Sequence, residues 1–136
     1  MNLFTTFAST PTVLVLGAGE HAGILYKEIA DSARHAQGSI LGFMPMAERD
    51  GVIPEYLILL GDEPLLQVSR RRRVTEIVVV PDHAAQKLPM QQLLNCKLSG
   101  IHLSDARGFL KSVHDGRYRR GRRRISLSKI LRRIHQ

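Results

Sequence analysis

The residues best suited to do chemistry lie between Val13 and Gly23, in the run VLVLGAGEHAG. Four apolar residues lead into Gly17-Ala18-Gly19, and Glu20-His21-Ala22-Gly23 open a helix-like segment. A strand that turns sharply into a helix leaves the helix's first N–H groups unpaired, and these attract a phosphate. Gly17 would permit the tight turn, and Gly19 would let backbone approach a pyrophosphate. Ala22 fills the third small position of G-x-G-x-x-[G/A], and Gly23 adds room. His21 could donate to a phosphate. Three readings stay open at this point: a phosphorylated ligand, a nicotinamide dinucleotide, and a close-packed turn that binds nothing.

A second group of polar residues follows a later apolar run, in Pro81-Asp82-His83-Ala84. If the chain leaves the first strand in one direction and the fourth in the other, this segment faces the glycine turn across a topological switch point. Asp82 and His83 could then hold a ribose or a base. The acid expected to read a dinucleotide ribose should end the second strand, about 20 residues after the glycines. Met44-Pro45-Met46 occupy that position, and Glu48 and Asp50 follow in a loop further along. That gap weighs against nicotinamide chemistry. No nucleophile with its base, carboxylate pair or metal-ligand cluster is visible, so no catalytic residue is assigned. Cys96 sits among Leu93 and Leu94 and reads as an inert core thiol.

The elements that must position these groups alternate regularly. Strands are expected at Thr12–Gly17, Ser39–Met44, Tyr56–Gly61, Thr75–Val80 and Ile101–Asp105. Helices are expected at about Glu20–Arg34, after Asp62 as a cap, and over Leu88–Gly100 with its closing glycine. Asp105 reads as the cap of a last helix, ARGFLKSV. Alternation of this kind predicts an α/β fold: a doubly wound parallel sheet of five strands, the first near its centre, with helices on both faces.

Charge divides the chain in two. Residues 1–110 carry 10 Lys/Arg against 11 Asp/Glu, whereas residues 111–136 carry 10 against Asp115 alone. The domain expectation is therefore an N-terminal extension over 1–11, a Rossmann-like domain over 12–111, and a basic tail over 112–136. One cysteine and the lack of a long apolar run point to a reducing, cytoplasmic setting. Arg70–Arg73 suit the dipole at the end of their helix.

The segments VLVLGAGEHAGILYKEI, GSILGFMP, ILLGDEPLLQVSRRRRVTEIVVVPD and LPMQQLLNCKLSGIHLSDARGFL also resemble, in order and spacing, one family. It is the Rossmann-like, CoA-binding-like accessory domain of bacterial polyprenyl glycosylphosphotransferases, the exopolysaccharide sugar transferases. The likeness covers about residues 12–110. It implies a role beside undecaprenyl-phosphate glycan assembly, binding a uridine nucleotide or nucleotide-sugar, or less favourably NAD(P). Gly17, Gly19 and Gly23 carry over, with Asp82. The transferase nucleophile has no counterpart, so this chain alone is expected not to transfer sugar phosphate.

In the tail, Leu127, Ile130, Leu131 and Ile134 share one helical face, with Lys129, Arg132 and Arg133 elsewhere. Such a helix suits an anionic membrane surface, which would place the protein peripherally at the inner membrane, or against a membrane-bound sugar transferase. The arginines around Tyr118 are compatible with nucleic-acid phosphates, a less favoured partner. Homo-oligomers are equally compatible with this sequence.

Overall fold

The computed structural model describes residues 11–116. The expected tail helix at Ile125–Ile134 and the first ten residues lie outside this range. Within it, four parallel strands alternate with helices: β1 (Val13–Leu16), α1 (Glu20–Ser32), β2 (Ile40–Met44), α2 (Leu65–Arg71), β3 (Glu76–Val79), α3 (Met90–Leu98), β4 (His102–Asp105) and α4 (Ala106–His114). The strand order is β2-β1-β3-β4, with every neighbouring pair parallel. The two central strands are thus β1 and β3, and the chain's crossovers move outward in opposite directions from the point between them.

β1, β2 and most of β3 read as continuous apolar runs because both faces of the sheet are covered, whereas the edge strand β4 carries polar residues. Val13 and Val15 of β1 and Val78 of β3 point to one side. There they pack with Leu25 and Ile29 of α1 and with Phe109 and Val113 of α4. Leu14, Leu16, Ile77, Val79 and Leu103 point to the other, where Leu65 and Val68 of α2 and Leu93 and Cys96 of α3 close over them. Val113 shows that the packed core continues to the last turn of α4.

The expected third of five strands, Tyr56–Gly61, is not a strand, so the sheet has four. A short 3₁₀ turn takes Glu55–Leu57, and the chain then touches β2 at a single parallel bridge, Phe43 with Ile58. One further bond ties Leu59 N–H to the Phe43 carbonyl at 2.8 Å. The physical cause is Gly42. A Cβ there would lie 2.6 Å from the Leu57 carbonyl oxygen and 2.8 Å from Leu59 Cγ, so the segment crosses the glycine closely and then departs. Leu60 is 74% exposed, which identifies the apolar run as an edge crossing and not a ladder strand.

Two cap expectations resolve differently. Asp105 accepts from Gly108 N at 2.7 Å and starts α4 directly at the end of β4. Asp62 does not cap α2, which begins after Pro64 with no side-chain cap. Instead the Leu65 N–H is satisfied by Gln92 Oε1 of α3 at 2.9 Å, a long-range partner.

Cys96 is fully buried, and that burial pushes its thiol pKa up. A disulfide reagent should label it only at the rate of domain opening. A thiol with a raised folded pKa supports the fold below the unfolded value and loses that contribution as pH rises above it. Stability should therefore decline above about pH 8.5, and a Cys96→Ala variant should not show that decline in thermal melts.

Candidate functional site

The β1–α1 turn is built by steric necessity. Gly17 has φ +129°, and a Cβ on it would lie 2.0 Å from the Val80 carbonyl oxygen beyond β3. Its own N–H donates to the Met44 carbonyl at the end of β2, at 2.8 Å. The turn is therefore wedged between the two neighbouring strand ends. Gly19 is the N-cap of α1 and no side chain caps this helix, while Glu20 lies in its first turn. Ala18 and Ala22 are buried in the core on one face of the sheet, Gly23 is buried under the loop after β2, and Glu20 and His21 are exposed.

Asp82 meets this turn across the switch point. A Cβ on Gly19 would lie 2.7 Å from Asp82 Oδ1, so the absence of a side chain at Gly19 makes room for the carboxylate. The residue is 7% exposed. Its Oδ2 accepts from Glu48 N at 3.1 Å and from Gln86 Nε2 at 2.9 Å, while Gln86 Oε1 accepts from Asp82 N at 2.7 Å. Oδ1 is buried and has no hydrogen-bond partner. A buried carboxylate oxygen without a donor forfeits solvation that its neighbour Oδ2 recovers. One side chain thus joins the loops after β1, β2 and β3.

The loop after β2 returns to the turn, although its acids stand well past the strand end in sequence. Asp50 N donates to the Ala18 carbonyl at 2.7 Å. Asp50 Oδ2 lies 2.8 Å from where a Cβ of Gly23 would be, so this third glycine admits the acid. Gln86, Glu48 and Asp50 are the members of the site that sequence reasoning missed. Gln86 had a signal in its four-residue offset from Asp82 within a polar loop. The two acids had none, because their approach depends on the whole course of the loop.

The two histidines separate. His21 Nδ1 donates to the Pro81 carbonyl at 3.4 Å, a long bond across the switch point. His83 is exposed, and its carbonyl accepts from Gln86 N in a local turn at 3.1 Å. The site therefore gathers the Gly17–Gly23 turn, Asp82 and His21, and leaves the His83 ring at the surface. Arg49, in the same loop as the acids, is paired with Glu55. The edge is acidic, so an anion held here would rely on backbone N–H groups and the α1 dipole. Among the described residues no group of three or more His, Cys, Asp or Glu could hold a metal ion, and no helix is long and apolar enough to cross a membrane.

No family model, curated protein or solved structure matches this chain.

Proposed function

We propose that this chain is a Rossmann-like, non-catalytic domain that binds a nucleotide or nucleotide-sugar. In this reading it is related to the accessory domain of undecaprenyl-phosphate sugar-phosphate transferases of exopolysaccharide assembly. The supporting observation is the pairing of an uncapped helix start with the buried, unpartnered Asp82 Oδ1 beside Gly19. The helix start offers donors to a phosphate, and the carboxylate offers an acceptor to a hydroxyl. A phosphate flanked by ribose or sugar hydroxyls brings both complements. His21 stands at the rim of this arrangement. Its basic tail would hold the domain at the cytoplasmic face of the inner membrane, beside a membrane-bound transferase.

Calorimetric titration of the full chain with uridine diphosphate and uridine diphosphate sugars tests the reading. Wild type should bind, and Gly19→Val should abolish the heat, since its side chain enters the space of Asp82 Oδ1. Asp82→Asn keeps an oxygen for Glu48 N and Gln86 Nε2 and puts an amide NH₂ donor in place of the Oδ1 acceptor. It should fold and weaken binding by at least about tenfold, the loss of one hydrogen bond to a charged acceptor. Absence of heat with every uridine ligand, or unchanged affinity in both variants, refutes it.

One observation favours a second reading, a nicotinamide dinucleotide site: the loop after β2 does bring acids, Glu48 and Asp50, to the glycine turn. Enhanced fluorescence of reduced nicotinamide cofactor on mixing would select it, and unaltered fluorescence at saturating protein would remove it.

A further inference from the structure

We propose that the groove between α2 and α3 is a docking site for an acidic, leucine-bearing segment of a partner protein. The groove is open, encloses about 720 Å³, and is lined by Pro64, Leu66, Gln67, Arg70, Arg71, Gln92 and Asn95. It shares no residue with the glycine turn. Its floor is largely apolar, and its polar groups are sorted by the bonds they already make.

Gln92 spends its Oε1 on Leu65 N, at 2.9 Å, which leaves its amide NH₂ to the groove. Asn95 spends its Oδ1 on Gln91 Nε2, at 3.1 Å, with the same result. Arg71 is held by both oxygens of Glu63, at 3.1 and 2.7 Å, and that pairing keeps the Glu63 carboxyl below its usual range. Arg70 reaches only Ser99 Oγ, at 3.2 Å, and forms no ion pair among the described residues. The uncommitted polar groups of Arg70, Gln92 and Asn95 are thus donors that a partner's acceptors complement, and Gln67, bonded to Glu63, is the one lining amide with an acceptor to spare.

Charge selects the chemistry of those acceptors. Arg70 lines the groove and is exposed, and Arg72 and Arg73, which follow the last turn of α2, are exposed as well. Carboxylates complement these arginines, and the chain's own tail, with 10 Lys/Arg against one acid over residues 111–136, does not. Apolar anchors are available as well. Leu98 is 76% exposed and follows Asn95 by three residues on α3, one turn along the same face, and Leu94 is 37% exposed. The seven residues of α2 span about 10 Å, room for roughly two turns of an amphipathic helix laid in the groove.

Amide NMR of the full chain locates the event, using a synthetic peptide of about ten residues, leucine on one face and glutamate on the other. Saturable shifts are expected at 65–71 and 92–98. The double variant Arg70→Glu with Leu98→Ser should weaken binding by at least about tenfold, while Arg70→Glu alone should gain affinity for the lysine analogue of the peptide. Both positions are exposed, so the fold is not at stake. Shifts confined to residues 117–136 would show simple attraction to the tail and overturn the proposal. So would unaltered affinity in the double variant, or groove shifts that arise from raising the protein concentration without peptide.

Discussion

Gly17→Ala should destabilise the domain by about 2–6 kcal/mol, a large share of the total stability of a domain this size. Two costs combine. At φ +129° the backbone occupies a region that residues with a Cβ rarely adopt, which costs about 1–3 kcal/mol. The added methyl would also lie 2.0 Å from the Val80 carbonyl oxygen, an atom fixed by the bond from Val80 N to the Leu16 carbonyl at 2.8 Å. Relief requires prying β1 from β3 at the centre of the sheet, which adds about 1–3 kcal/mol. Urea denaturation followed by far-UV circular dichroism measures the loss. A fall below about 1 kcal/mol would mean that the turn relaxes easily and is not the rigid wedge its geometry describes.

Phe109→Ala should cost about 3–5 kcal/mol, the range for emptying a fully buried aromatic site. Phe109 has no exposed surface and sits where α4 meets the face formed by β1, β3 and α1. Few neighbours can collapse into the space, because Val13, Val15 and Val78 are short branched side chains on a sheet held from both sides. The loss should appear in the same denaturation experiment with an unchanged slope against urea, since the surface exposed on unfolding hardly changes. A cost near 1 kcal/mol would instead indicate that α4 detaches separately and contributes little to the cooperative unit.

Local patterns made the sequence legible. Valine-rich runs closed by glycine or proline marked β1 and β3, and Asp105 announced α4 because a cap acts within three residues. The burial of Cys96 followed from its leucine neighbours on one helix face. What stayed hidden depended on partners distant in sequence. Tyr56–Gly61 has the composition of a strand, yet its apolar side chains serve a crossing over Gly42, and composition cannot distinguish the two. Asp62 had the right type and place for a cap, but Gln92 arrived from 27 residues away to fill that role. At the candidate site the glycines and Asp82 were readable, since each is demanded by the strand–turn–helix geometry. The returning loop with Asp50 was not, because no short-range preference encodes a bond to Ala18.

Because Asp105 ends β4 and caps α4 at once, the last helix starts without a linker and runs back along the sheet. Its C-terminal residue His114 meets Ser32 at the end of α1, Nε2 to Oγ at 3.1 Å. The described chain therefore leaves by the same edge at which Thr12 enters, held there to Thr75. The glycine turn opens at the opposite edge. Thr12 and His114 thus stand with the whole length of the sheet between them and the glycine turn. Between residues 11 and 116 the domain is built like a socket, with both ends of the described chain on one side and the glycine turn on the other.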